Sequence, residues 1–180
     1  EMGVLENTIR EELNLSAERV MGVLDPLKVT ISNYPKDEEE VVKATNNPNN
    51  KSSYRNINIS REVYIDRSDF MEIPEKKYFR LSPGKEVRLR HAFNITCQKV
   101  IKNDKGDITE LDCTYDPESR DINKGNKVKG MIHWVNAKDC IDVKINLYDR
   151  LFADINPKGL ESFNKDSLVV KNNAKIENNV

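Results

Sequence analysis

Apolar residues recur at two spacings along the chain, and the spacing changes once. In residues 1–24, Leu5, Ile9 and Leu13 fall four apart, with Arg10, Glu11 and Glu12 on the other face, which predicts a surface helix. Asn14-Leu15-Ser16 interrupts it, Ser16 can cap a second short turn, and Asp25-Pro26 ends the segment. From Leu27 the period is two. Leu27, Val29 and Ile31 alternate with Lys28, Thr30 and Ser32, a strand over Leu27–Tyr34. Asp37–Glu40 reads as an acidic turn and Thr45–Arg55 as a polar loop with nothing to bury. Further strands are expected over Glu62–Asp66, Lys77–Leu81 and Glu86–Lys102. Asn103–Gly106 is a hairpin turn leading to a return strand, Asp107–Tyr115. After a polar loop, Pro117–Asn126, Lys127–Asn136 reads as one strand apolar on both faces around Ile132 and Trp134. Ile141–Tyr148 alternates again, Leu168–Lys171 is a last short strand, and Asn172–Val180 has the look of a disordered tail. Many short strands, polar loops and few helices predict β-barrels or sandwiches.

Charge adds one local feature to this outline. The net charge is −1, yet Lys76–Arg90 (KKYFRLSPGKEVRLR) holds six basic residues and one acid in fifteen positions. Val87, Leu89, Phe93, Ile95 and Cys97 share one side of the expected strand, and Arg88, Arg90, Asn94 and Thr96 the other. Pro83-Gly84 marks a tight turn with Arg80 on its other limb, and Tyr78 and Phe79 are close enough to stack. Guanidinium forks suit phosphates and base edges. The same pattern also fits a solvated hairpin face.

Composition mainly excludes. At 180 residues, 37% hydrophobic and 33% charged, the chain fits one large or two small globular domains. It has no apolar run of membrane-spanning length and no signal-peptide pattern. It begins at Glu1 without an initiator methionine, so a fragment or a processed product is expected. Cys97, Cys113 and Cys140 form no metal-spaced pair, which predicts reduced, mostly buried thiols and an intracellular home. His91 and His133 are expected to be core histidines, His91 on the apolar side of its strand and His133 in the Ile132–Trp134 run. With no HExxH, no Cys/His cluster, no phosphate loop and no Cys–His spacing, no catalytic residue and no metal site is expected.

Several segments together resemble one family. Val20–Tyr34 (VMGVLDPLKVTISNY), Arg61–Phe70 (REVYIDRSDF), Lys76–Phe93, Cys113–Arg120 (CTYDPESR), Lys127–Val135 (KVKGMIHWV) and Ile145–Phe152 (INLYDRLF) are similar to the C-terminal anticodon-binding region of glutaminyl-tRNA synthetases, in that family's order and with similar gaps. The resemblance implies a mainly β fold: two six-stranded-type β-barrels, one of them incomplete, preceded by a short helical segment. The implied division is 1–25, end of a helical domain; 26–64, first part of a proximal barrel; 65–143, a distal barrel; and 144–180, the truncated second part of the proximal barrel. It implies no cofactor for this fragment. ATP and glutamine would belong to a catalytic domain in the parent enzyme, whose HIGH-type and KMSKS-like motifs are missing here. The implied partner is tRNA(Gln), in the cytoplasm, with no DNA and no membrane.

The resemblance also places residues. Arg19 looks like the family arginine at the middle anticodon base, Arg80 like the reader of the third base, and Arg88 and Arg90 like the pair near the first. Asn14 resembles an asparagine that orders the anticodon loop, and Asn49 a loop contact to the anticodon arm. Lys76, Lys77, Lys85, Lys127 and Lys129 would add phosphate attraction. Lys77 and Phe79 depart from the best-known bacterial pattern, which has glutamine and lysine there. The glutamyl-tRNA synthetase of archaeal or eukaryotic type, a free-standing ribosomal-type RNA-binding barrel and an interaction module of a multisynthetase assembly are the competing readings.

Overall fold

The computed structural model describes residues 2–179. Helix α1 (Met2–Ser16) is followed by a short strand β1 (Gly22–Val23) and by β2 (Pro26–Ile31). A hairpin, β3 (Glu40–Asn47) and β4 (Asn50–Ile59), precedes β5 (Glu62–Asp66). Then come β6 (Glu86–Leu89), β7 (Asn94–Lys102), β8 (Ile108–Asp116), β9 (Met131–Ile132), β10 (Trp134–Asn136), β11 (Ile141–Tyr148) and β12 (Leu168–Ile176). The fold is mainly β with one helix, as the periodicity predicts.

Seven strands form one sheet in the order β10-β5-β2-β8-β7-β6-β9. Its two edge strands are consecutive in the chain, joined by His133 alone, so the sheet bends into a nearly closed barrel. Trp134, Tyr34, Phe93, Leu27, Ile65, Leu89 and Leu111 fill it. Each such apolar side chain is worth about 1.5–3 kcal/mol of burial. The alternation that predicts β2 is the alternation of its burial: Leu27, Val29 and Ile31 point inward. Outside the barrel lie the β3–β4 hairpin and an open sheet, β1-β12-β11, an arrangement in keeping with an incomplete second barrel. β2 pairs with β5 and β8, so the barrel sheet runs across the boundary expected at 64/65.

Six expected elements differ. Helix α1 runs unbroken through Asn14-Leu15-Ser16, and residues 17–21 form no second turn. Glu86–Lys102 is a hairpin, with Glu86 opposite Thr96 and Arg88 opposite Asn94. Its turn is made at His91, whose φ of 67° lies in the left-handed region that histidine tolerates better than most residues. Lys77–Leu81 is irregular, because Lys77 has φ 72° and only Leu81 makes a bridge, to Phe70. Thr45–Arg55, expected as a loop, belongs mostly to β3 and β4, whose backbones satisfy each other without needing apolar side chains. Lys127–Asn136 divides at His133 into strands on opposite sheet edges. Residues 172–176 continue β12, paired to β11 and β1, rather than forming a disordered tail. Glu1 and Val180, the outer ends of the expected helical segment and tail, lie outside the described residues.

Candidate nucleic-acid interface

The first wall is a corner between α1 and the β3–β4 hairpin. A helix leaves its last carbonyls without partners. Here the hairpin supplies them: Asn47 Nδ2 donates to Ala17 O at 3.0 Å and Asn14 O at 3.2 Å, and Asn49 Nδ2 donates to Asn14 O at 2.9 Å. Arg19 N donates to Asn46 O at 2.8 Å. The exposed Arg19 side chain is then oriented by Asn14, with Arg19 Nη2 to Asn14 Oδ1 at 3.0 Å. Asn14, Arg19 and Asn49, distant in their predicted roles, share one corner.

The second wall is the β6–β7 turn and the barrel seam. Arg90 N donates to Ile132 O at 3.0 Å, and Trp134 Nε1 donates to Arg90 O at 2.8 Å. The core tryptophan therefore fixes the backbone that carries Arg90. Between the walls is a cavity of about 750 Å³ lined by Arg19, Val20, Met21, Thr45, Pro48, Arg55, Arg90, His91 and His133. Sequence periodicity assigns both histidines to the core. The structure corrects this: His133 is exposed at the seam and His91 half-buried at the turn, both on the cavity wall.

Desolvation pulls the His91 pKa down to about 4, helped by the neighbouring Arg90 and Arg55 guanidinium groups. His133 is lowered as well, by desolvation first and then by Arg90. Both rings are neutral at pH 7. Arg90 Nε approaches His91 Nε2 at 3.4 Å, which suits a ring whose Nε2 carries the lone pair. Flat neutral rings beside fixed guanidinium donors suit an unstacked nucleobase, which is read by stacking and by hydrogen bonds to its edge.

The other predicted residues divide. Arg80 forms an ion pair with the buried Asp69, whose pKa is raised by desolvation against the pull of Arg80. Both groups act on His133, which places this pair beside the seam. Arg88 turns inward: Nη1 donates to Ser119 O at 2.8 Å and Asn94 Oδ1 at 3.3 Å, and Nη2 to Ala92 O at 2.9 Å. Its guanidinium ties the turn to the 117–120 segment and does not line the cavity. Lys76, Lys77, Lys85, Lys127 and Lys129 are exposed, and Lys129 Nζ sits 5.1 Å over the Phe79 ring.

Arg55 is the charged cavity residue that sequence reading missed. A signal existed, since Ile57 and Ile59 are buried at spacing two and continue backward to Arg55 on the same face.

The anticodon-binding domain of class I tRNA synthetases of the E and Q type matches residues 17–116, and a second such domain model matches residues 131–180. The chain belongs to this family. Similar proteins are glutamine–tRNA ligases. That of Nitrobacter winogradskyi is 51% identical over 160 residues, covering 87% of this chain and 29% of the relative. That of Clostridium perfringens is 47% identical over 175 residues, covering 93% and 32%. That of Cronobacter sakazakii is 50% identical over 178 residues, covering 95% and 32%. The chain thus spans about a third of the length of these relatives. Among the described residues, no helix of this anticodon-binding chain is long and apolar enough to cross a membrane.

Proposed function

We propose that this chain is the anticodon-reading part of a glutaminyl-tRNA synthetase, and that it binds the anticodon loop of tRNA(Gln) in the cytoplasm so that the parent enzyme can ligate glutamine to that tRNA. The chemistry, with its ATP and glutamine, belongs to a catalytic domain acting in cis. The observation that carries the reading is the cavity between the helix–hairpin corner and the barrel seam, where Arg19 and Arg90 meet two neutral imidazoles. Identity near one half to glutamine–tRNA ligases, across nearly the whole chain, supports glutamine over glutamate.

In this reading Arg19, Arg80 and Arg90 donate to bases. Asn14 and Asn49 hold the corner. Arg88 holds the turn that carries Arg90. Lys76, Lys77, Lys85, Lys127 and Lys129 attract phosphate. The test is competition between tRNA(Gln) and tRNA(Glu) transcripts for the chain, and between tRNA(Gln) and its anticodon-swapped form. Preference for tRNA(Gln), lost on swapping the anticodon, is expected. Preference for tRNA(Glu) would favour the glutamyl branch, and equal binding of every RNA would leave only a ribosomal-type barrel.

A further inference from the structure

Arg55 and Glu177 lie 122 positions apart in sequence, yet Arg55 Nε donates to Glu177 Oε1 at 2.6 Å. Their side chains are 11% and 1% exposed. Glu177 is itself fixed by strand edges, since Met21 N donates to its Oε1 at 3.1 Å and its own backbone N–H donates to Met21 O at 3.2 Å. On the other side, Arg55 Nη1 donates to Thr45 O at 3.2 Å and Asn46 Oδ1 at 3.3 Å. Nε and Nη1 are thereby committed. Nη2 makes no hydrogen bond among the described residues, and Arg55 lines the cavity shared by Arg19 and Arg90.

A buried carboxylate left without a counter-charge is costly, and one paired to a guanidinium dictates where that guanidinium sits. Rotamer freedom normally lost when an arginine binds a ligand has been removed in advance here. A planar fork held from two sides can present its third nitrogen to only a narrow range of acceptor positions. We infer that Arg55 is a specificity-determining residue: its Nη2 donates to the carbonyl oxygen of one anticodon base in the cavity, with Glu177 as the positioning residue that aims it. The inference rests on the anticodon reading proposed above. A phosphate oxygen offers Nη2 the same chemistry, but contact with it would carry no sequence preference.

The experiment uses anticodon stem–loop RNAs of tRNA(Gln) with each anticodon base replaced in turn, titrated onto the chain. Arg55 and Glu177 are changed together, Arg55→Gln with Glu177→Gln, so that neither buried charge is left alone. The double variant should bind the cognate loop roughly ten- to a hundredfold more weakly, the range of one lost base contact. It should cease to discriminate at one anticodon position and keep discrimination at the other two. A folded double variant with undiminished discrimination at all three positions overturns the inference and leaves the anticodon reading standing. A uniform loss on all loops also overturns it, in favour of phosphate contact. A wild-type chain that discriminates at no position overturns the anticodon reading and this inference with it. If the double variant does not fold, the guanidinium ¹⁵N resonances of Arg55 in the wild-type chain decide. They should shift on adding the cognate loop and shift less with the loop changed at one position; no shift overturns the inference.

Discussion

Asn14 uses both of its oxygens to join helix to hairpin: Oδ1 accepts from Arg19 Nη2 at 3.0 Å, and the backbone oxygen accepts from Asn49 Nδ2 at 2.9 Å. Only the first of these depends on its side chain. Asn14→Ala should therefore keep the corner folded and release Arg19, at a stability cost of about 0.5–1.5 kcal/mol or less at this exposed site. Binding of the anticodon stem–loop should weaken several-fold while the salt dependence stays the same, because the charge is unchanged. Fluorescence anisotropy at two salt concentrations separates these. A parallel flattening of the salt slope would mean that Asn14 works through phosphate.

Arg88 should behave as a structural residue. Arg88→Lys keeps the charge but cannot reach Ala92 O, Ser119 O and Asn94 together. We expect a loss of about 1–3 kcal/mol in urea unfolding, the cost of stranding part-buried acceptors. Arg90→Lys should cost much less stability and more base discrimination. The reverse ranking would place the Arg88 fork on RNA.

Stability should depend on pH through His91. Its folded pKa, about 4, is depressed below the ordinary value of about 6.5, so on acidification the unfolded chain takes up the proton first. The contribution is complete above about pH 6.5 and is lost as pH falls toward 4. His91→Asn suits the left-handed φ and cannot titrate. The drop in urea midpoint between pH 7.5 and pH 5 should shrink in this variant. An unaltered drop would assign the acid sensitivity to other groups.

The exposed lysines should act as charge alone. Lys85→Ala and Lys127→Ala should weaken cognate and anticodon-swapped RNA alike and lower the magnitude of the log–log salt slope by about one each. Selective loss for the cognate RNA would instead indicate a base contact.

Gly130 is a packing constraint. A Cβ there would stand 1.9 Å from Phe79 O, so Gly130→Ala must displace the Phe79 backbone. A loss of about 1–3 kcal/mol is expected from such overpacking, readable as a lowered thermal midpoint. An unshifted midpoint would mean that the 77–80 segment yields freely.

The sequence disclosed the barrel strands wherever one face meets the core, as in Leu27, Val29 and Ile31. It concealed the β6–β7 turn for a specific reason. Leu89 and Phe93 are four apart, so the alternation keeps its phase across the turn and reads as one strand. The 45–55 part of the β3–β4 hairpin and the end of β12 were hidden because their pairing is satisfied by backbone, with asparagines where apolar markers would stand. Resemblance singled out Asn14, Arg19 and Asn49, which share the helix–hairpin corner, and Arg90, which lies on the facing wall. It could not show that Arg88 is consumed internally, since only contacts reveal how a guanidinium is used. Arg55 and the two histidines became legible once segments far apart in sequence closed around one space.

The Arg55–Glu177 pair also sets an order of events during synthesis. Arg55 leaves the ribosome first, and its counter-ion is made 122 residues later. Until then the guanidinium in this wall has no carboxylate to hold it, and a nascent chain already carrying Arg19, Arg55 and Arg90 displays loose positive charge without a shaped recess. Selectivity thus matures late, with the β12 strand edge, and a chain interrupted before Glu177 would carry Arg55 without the partner that aims it.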